Sequence, residues 1–586
     1  MSFFVADNKI PIQQKSIGIP AINGLAYNPE QQVDFYIDPQ QVKFFNPKQS
    51  TLQFDIKIQM PSDTNGELAR LMLDSHIGAQ SVISEIRIFD GANNALLEEI
   101  VGYNVATSVK YDYHTNDSLR NKRALTEGAG QYKPDASQGT LGSTISYQNC
   151  AENFYSVSNV EDTQSASLVN ASYLNCRVNL PLNTGIFSND KIFPTMLTSG
   201  LRISLLLSPA VRCIRQLEGS MLNRKTNLNP VLHSQNGCGV NTGAGSGSYV
   251  KDTNASKVFI ANMNQYNNPE RCPFVVGEAL GFWDLVNESY LNVCGTLGDP
   301  IIKEIKYDAT TSLVEITTTT FQFSQSVSAI SNASNVLFSK SVDNSTTFNA
   351  TYQLNNVEMI LEVVDMGSQY ESDMMRKMKE GGTINYDFLS LTNYRYSQLA
   401  SDIVANIQLP IENRRMRSII SVPTDSSVYT MKQVLNACGT YEEGTSASAT
   451  NNDYKLFQDR CGLVGCSDNI TSYQFLYNGK LNPSRLVNCE KTSSKVSVSQ
   501  QPLIELEKAL SSADMPALSL LEFNKNFIIG RSLTAGQNGT YDGRGKQFAL
   551  QVNYNGTTPT KNKLWNNFVY HIRRLVIKGD SIFVEV

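Results

Sequence analysis

Four histidines serve the whole chain, His76, His114, His233 and His571, so any metal-assisted hydrolysis or imidazole acid-base chemistry would have to be built from them. None belongs to an H-E-x-x-H motif or to a Cys/His cluster with ligand spacing. His76 precedes Ile77-Gly78 and reads as a hydrogen-bonded structural residue. His571, set between apolar strand positions, reads as a satisfied core residue, with a local pH sensor as the competing role. Ten cysteines (Cys150, Cys176, Cys213, Cys238, Cys272, Cys294, Cys438, Cys461, Cys466, Cys489) are too dilute for a disulfide scaffold and contain no C-x-x-C pair, which leaves them mostly as buried thiols. Gly539 to Lys546, GTYDGRGK, misses the G-x-x-x-x-G-K-[ST] spacing and has Gln547 where a Mg²⁺-binding hydroxyl belongs, so a turn between strands accounts for it. Gly243 to Ser248 contains Ser246 but no G-x-S-x-G, and reads as a flexible loop tip. Basic clusters at Arg120, Lys122 and Arg123, at Arg414, Arg415 and Arg417, and at Arg573 and Arg574 lack interleaved exposed aromatics. They are expected to be solvated or ion-paired faces. The residues therefore predict no catalytic, metal or cofactor-binding site, no cofactor, and a protein that is not an enzyme.

The elements that would position such residues are constrained by size and charge. At 586 residues the chain exceeds what one core usually supports, which predicts two large domains. Charged residues make up only 18%, with Asn, Ser and Thr filling the difference, so coiled coil and disorder are disfavoured. A net charge of -5 supplies no global field for attracting nucleic acid, and sequence-specific nucleic acid binding is not expected. Met1 to Pro20 has no basic segment followed by an apolar run, and no window approaches the span of a bilayer; synthesis inside a cell without a secretion signal is the expectation.

Period-two alternation recurs from end to end, placing every second side chain on a core face. It appears in Val33, Phe35, Ile37; in Leu52, Phe54, Ile56, Ile58; in Ile86 and Ile88 before an Asp90-Gly91 turn and the run from Leu96 to Val101; in Leu174, Cys176, Val178, Leu180; and in Leu201, Ile203, Leu205, Leu207. From Arg215 to Thr351 the composition shifts to Gly, Ser, Asn and Thr, which predicts a large inserted loop with some packed islands. Val357, Met359, Leu361 and Val363 then return to the first core. Ser368 and Glu371 have capping-box spacing ahead of Tyr370, Met374 and Met378, predicting a short helix that ends at Gly381-Gly382. A second β series follows: Ile384 to Phe388, Ile403 to Leu409, Met416 to Val422, Tyr473 to Tyr477 with its Asn478-Gly479 turn, Phe523 to Ile529, Phe548 to Tyr554, Phe568 to Ile577 and Ile582 to Val586, with helical character at Leu503 to Leu510. About eight strands per half fits two jelly rolls.

The segments FFNPKQSTLQFDIKI, HIGAQSVISEIRIFDGANNALLEEIVGYN, LPLNTGIFSNDKIFPTMLTSGLRISLLLSPA, YQLNNVEMILEVV, SYQFLYNGKLNP and NFIIGRSL, taken in order, resemble segments of double jelly-roll major capsid proteins, closest in look to those of polinton-like viruses and virophages. The resemblance runs from about Val33 to the C-terminus and lies in order and span; residues 114–148 and 215–351 are not typical of the family. It implies an all-β fold of two consecutive eight-stranded antiparallel jelly rolls with long inserted loops and a few short helices. The organisation expected is an N-terminal arm at 1–31, a first jelly roll at 32–380 that includes an inserted tower loop at about 215–351, and a second jelly roll at 381–586. The resemblance further implies a pseudo-hexagonal homotrimer that tiles the icosahedral shell of a double-stranded DNA virus. Its partners would be itself, neighbouring capsomers, and penton and minor capsid or cement proteins, with an internal membrane as one further surface within the virion. The apolar residues Phe3, Phe4, Ile10, Pro11 and Ile17 of the arm suit a segment that orders against a neighbour. A jelly-roll carbohydrate-binding or adhesion protein is the competing reading; it would call for exposed aromatic platforms and a secretion signal.

Overall fold

The computed structural model describes residues 13–59, 70–128, 175–217, 351–426, 460–489, 500–554 and 562–585, apart from gaps of one to four residues, and strand segments within 132–156 and 231–340. Sixteen strands form the framework, eight in each half of the chain. In the first half they are β1 (Gln13–Pro20), β2 (Gln32–Ile37), β3 (Phe45–Gln59), β4 (Ile83–Asp90), β5 (Leu96–Val101), β6 (Asn175–Pro181), β7 (Leu201–Leu207) and β8 (Thr351–Asp365). In the second they are β9 (Thr383–Gln398), β10 (Val404–Leu409), β11 (Met416–Asp425), β12 (Ser472–Tyr477), β13 (Lys480–Asn488), β14 (Ile529–Ser532), β15 (Phe548–Asn553) and β16 (Lys563–Lys578).

The two halves repeat one topology. Antiparallel sheets β1-β8-β3-β6 and β2-β7-β4-β5 face each other in the first, and β9-β16-β11-β14 and β10-β15-β12-β13 in the second, so strand n corresponds to strand n+8. Each pair of facing four-stranded sheets with this order is a jelly roll, and the chain is a double jelly roll. Alternation dictates the register: Leu52, Phe54, Ile56 and Ile58 of β3, and Leu201, Ile203, Leu205 and Leu207 of β7, are all essentially inaccessible, while the residues between them, buried Ser204 apart, are at least partly exposed. Each such side chain contributes about 1.5–3 kcal/mol by leaving water. In the second barrel Ala405, Ile407 and Leu409 of β10 and Phe548, Leu550 and Val552 of β15 do the same. Asn478 and Gly479, at φ of 46° and 75°, turn β12 into β13, the positive-φ pair that a tight two-residue hairpin needs.

Four helices punctuate the described residues: α1 (Tyr103–Tyr113), α2 (Asp117–Glu127), α3 (Ser368–Lys379) and α4 (Gln500–Ser512). In α3 the expected capping box does not form. Gly367 is the N-cap and Ser368 the first helical residue, because the backbone carbonyl of Gly367 already receives the Glu371 N–H. Met374 and Met378 are buried as their spacing requires.

Three further expectations are corrected. The arm expected at 1–31 is part of the first barrel from Gln13 onward: β1 pairs with β8 through Ile17↔Leu361 and Ile19↔Met359, and Ala26–Tyr27 also pairs with β8. As an edge strand exposed on both faces over most of its length, it carries too few apolar residues for alternation to announce it. Residues 1–12 lie outside the described residues. The insertion expected at 215–351 as a loop interrupted by strands such as Leu313 to Phe323 contains a seven-stranded sheet built from segments between Val231 and Lys340, of which Leu313–Thr318 is one. Short strands separated by polar connections dilute a compositional average without abolishing pairing. Of the strand expected at Phe523–Ile529, the described residues show pairing from Ile529, in Ile529–Ser532 with Ser418 to Ser421 of β11, while Asn524 and Lys525 lie outside the described residues.

Candidate functional site

The least ordinary part of the molecule is the seam between the barrels, where charged side chains are fully buried. It begins at Gly102, which leaves β5 at φ 76° and caps α1; a Cβ there would lie 2.9 Å from Asn393 Nδ2 of the second barrel. Glycine is required both by the left-handed turn and by the close approach. Every residue of α1 except Lys110 is buried, which explains why its sequence shows no amphipathic stripe: the first barrel covers one face and the second barrel the other.

Arg460, from the connection between β11 and β12, enters this seam and is 2% exposed. Its Nε donates to both oxygens of Asp74 at 3.2 Å, its Nη1 to both oxygens of Asp112 at 3.1 and 3.0 Å, and its Nη2 to Ser108 Oγ at 2.8 Å. Asn526 Nδ2 donates to Asp112 at 2.6 Å, His76 Nδ1 lies 2.6 Å from the same carboxylate, and Asp74 accepts the backbone N–H groups of His76 and Ile77. Burial alone would raise the Asp112 carboxyl, but the Arg460 charge and the His76 contact reverse this and hold it well below the ordinary carboxylate range. With the folded value below the unfolded one, the stability Asp112 contributes is complete above about pH 4 and is lost as the pH falls through its folded value. The melting temperature is therefore expected to drop as the pH is lowered below about 4 towards about 2, and Asp112→Asn is expected to flatten that part of the profile; a variant with an unchanged acid limb would refute the assignment.

A second cluster lies along β5. Glu98, fully buried, accepts from Ser390 Oγ at 2.7 Å and from the Gly185 and Ile186 N–H groups at 2.8 and 3.0 Å. Burial raises its pKa despite these bonds and the nearby Arg573 charge. Arg573 Nη1 donates to the Leu97 carbonyl at 2.8 Å, and Asn393 Nδ2 to the Val101 carbonyl at 2.9 Å, so the second barrel satisfies the outer hydrogen-bonding edge of β5. An aromatic chain completes the seam: Phe45 packs on Phe193, Phe193 meets Tyr386 edge-on at 5.2 Å, and Tyr386 meets Phe388. Buried apolar residues of both barrels consequently form one continuous core.

Alongside the seam opens a cleft of about 1020 Å³ walled by both barrels, from Lys110, Arg123 and Glu127 to Lys191 and Asp387. Its charges are spent internally. Lys110 donates to Asn183 at 2.7 Å and is pushed down to about 8 by burial, then by Arg123; Arg123 stacks 3.7 Å over Tyr111, whose hydroxyl donates to Glu127 at 2.6 Å.

The residues singled out from the sequence are dispersed rather than gathered. His76 is in the Arg460 network, His114 Nδ1 meets the Pro516 carbonyl at 2.9 Å, and His233 lies outside the described residues. His571 Nε2 pairs with Thr392 Oγ1 at 3.0 Å, and burial, with Arg573 and Arg415 nearby, pushes it down to about 3. Among the described residues no group of three or more His, Cys, Asp or Glu could hold a metal ion. Cys213, Cys461 and Cys466 are buried and Cys489 is half-buried; burial pushes the Cys213 and Cys489 thiols up to about 12. The side chain of Cys176 and the residues Cys150, Cys238, Cys272, Cys294 and Cys438 lie outside the description. The GTYDGRGK stretch is a turn pinned by an Arg544–Asp542 pair at 2.7 Å. Of the basic clusters, Arg574 pairs with Asp387 at 2.6 Å, Arg415 approaches the same carboxylate at 3.6 Å, and Arg417 pairs with Asp514 at 2.5 Å. What the sequence did not disclose is the partnership of Arg460 with Asp74, because 386 residues separate them.

No protein-family model and no curated protein matches the chain. Solved structures similar to it include VP54 of PBCV-1 fitted into a reconstruction of the virophage Sputnik (9% identity, 100% of this chain and 99% of that one, TM-score 0.44). The Faustovirus major capsid protein is similar at 8% identity over 99% and 93% of the two chains, TM-score 0.45, and the mavirus major capsid protein at 9% over 99% and 93%, TM-score 0.34. Among the described residues no helix is long and apolar enough to cross a membrane.

Proposed function

We propose that this chain is a major capsid protein whose trimer, six jelly rolls in a near-hexagonal ring, tiles the shell of a double-stranded DNA virus. The observation that carries the reading is the seam: two barrels of one topology are locked side by side through a fused core and a buried ionic network, giving a rigid two-lobed brick. A shell subunit needs that rigidity, since strength comes from many repeated contacts whose angles must not drift. The order of the family-like strand segments supports the same role, and the work of the protein is shape rather than catalysis. Neighbouring capsomers, penton and minor capsid or cement proteins are its expected partners in the virion.

Light scattering on the purified full chain tests this. Three copies of 64.8 kDa should give a particle of about 194 kDa; a monomer at all concentrations, retained on glycan columns, would replace the reading with the carbohydrate-binding one. The seven-stranded insertion between β7 and β8 is assigned to a tower that reaches over the adjoining subunit. Deleting residues 218–350 is expected to weaken the trimer while both barrels still fold, and an undiminished trimer would remove that assignment.

A further inference from the structure

Lys110, in the last turn of α1, is the one residue of that helix that is not fully buried, and it lines the inter-barrel cleft. Its Nζ donates to the side-chain Oδ1 of Asn183 at 2.7 Å, which puts it no more than about 3.9 Å from the amide carbon Cγ once the carbonyl bond length is added. Asn183 is held in place there. Its backbone N–H donates to the Tyr103 hydroxyl at 2.9 Å, and that hydroxyl donates to Gln80 Oε1 at 2.8 Å. Gln80 Nε2 in turn donates at 3.1 Å to Glu127 Oε2, the oxygen that also accepts from the Tyr111 hydroxyl. The same hydroxyl oxygen lies 3.5 Å from Asn183 Nδ2. An amine, a carboxamide and a buried acid are thus gathered at one point by α1, the segment just after β6, and α2.

The surroundings favour the neutral form of both ionisable partners. Burial, then the Arg123 charge, brings Lys110 down to about 8, and burial raises Glu127 despite its bonds to Tyr111 and Gln80. About a tenth of the amine is then free base at pH 7, and the free base is the nucleophile. We propose that Lys110 and Asn183 condense into an intramolecular isopeptide bond, with Glu127 as the residue that relays the proton. Nζ attacks Cγ; the Nζ–Cγ bond forms and the Cγ–Nδ2 bond breaks. Glu127 delivers its proton through the Tyr111 hydroxyl to Nδ2, which departs as ammonia by way of the cleft, and regains one from Nζ. Neither oxidant nor cofactor enters the balance. Holding the reacting groups in contact supplies what a bimolecular amide exchange in water lacks. The product ties α1 to the end of β6 across 73 positions and encloses α2, a covalent ring that removes freedom from the unfolded chain as a disulfide does. The reaction concerns the first barrel alone and does not depend on the capsid reading.

Mass spectrometry of the full chain tests it. The intact protein should be lighter than its sequence by one ammonia, and trypsin should release residues 88–120, uncut at Lys110, joined to residues 178–191. Asn183→Ala should restore both the mass and the cut. Separate peptides 88–110, 111–120 and 178–191 from the wild-type protein would overturn the proposal. In protein sampled at intervals after cell-free synthesis, Glu127→Gln and Tyr111→Phe should each slow linkage by about 100-fold or more while a folded melting transition is retained. Tyr111→Phe keeps the ring beneath Arg123, so it separates proton transfer from packing. Linkage at the wild-type rate in either variant would overturn the proton route through Glu127.

Discussion

Replacing Arg460 with Met is expected to destabilise the protein by about 3–5 kcal/mol, because it strands two carboxylates in a place from which water is excluded. Asp74 and Asp112 are both fully buried, and Arg460 is the cation that joins them. Burying an unpaired carboxylate is far more costly than never having buried it, so the loss should greatly exceed what an exposed ion pair would cost. Thermal unfolding at neutral pH is the measurement. The triple variant Arg460→Met, Asp74→Asn and Asp112→Asn should recover much of the loss, since it removes the charges together. If the single variant melts like the wild type, the network is not what holds the barrels in their relative position.

Truncating Tyr386 to Ala should cost a similar amount, about 3–5 kcal/mol, through the cavity it leaves. Tyr386 belongs to β9 of the second barrel, yet its ring is packed against Phe193 of the first, and its hydroxyl donates to the Lys191 carbonyl at 3.0 Å. Tyr386→Phe keeps the ring and gives up only that hydrogen bond, an expected loss of about 1 kcal/mol. The comparison separates packing from polarity. Because the ring bridges the barrels, calorimetry of Tyr386→Ala should also show the single transition broadening into two, as each barrel begins to melt by itself. Equal losses in the two variants would mean that the apolar bridge contributes little.

Wherever one face of a strand meets the core and the other meets water, the residue order discloses the element. Leu52 to Ile58 alternate in the sequence and alternate in burial, and Val33, Phe35 and Ile37, like Phe548, Leu550 and Val552, are the core-facing set of their strands. The Asn478-Gly479 turn was readable for an equally local reason, its need for two positive φ values. Where an element has two dry faces or two wet ones, the order is mute. α1 has no polar face to contrast with its apolar one, and β1 has almost no apolar side chains to count. The inserted sheet is hidden in the same way by its polar connections.

The seam was illegible for a different reason. Asp74, Asp112, Glu98, Ser390 and Arg460 are ordinary polar residues in polar-looking stretches, separated by up to 386 positions. Sequence alone determined that this chain would make two sets of antiparallel strands, because hydrophobic period and turn chemistry act over a few residues. Only the tertiary structure decided which charges would be buried together and which edges would stay open. Pairing a charge inside a protein depends on long-range geometry, and geometry at that range is set only once both barrels have closed.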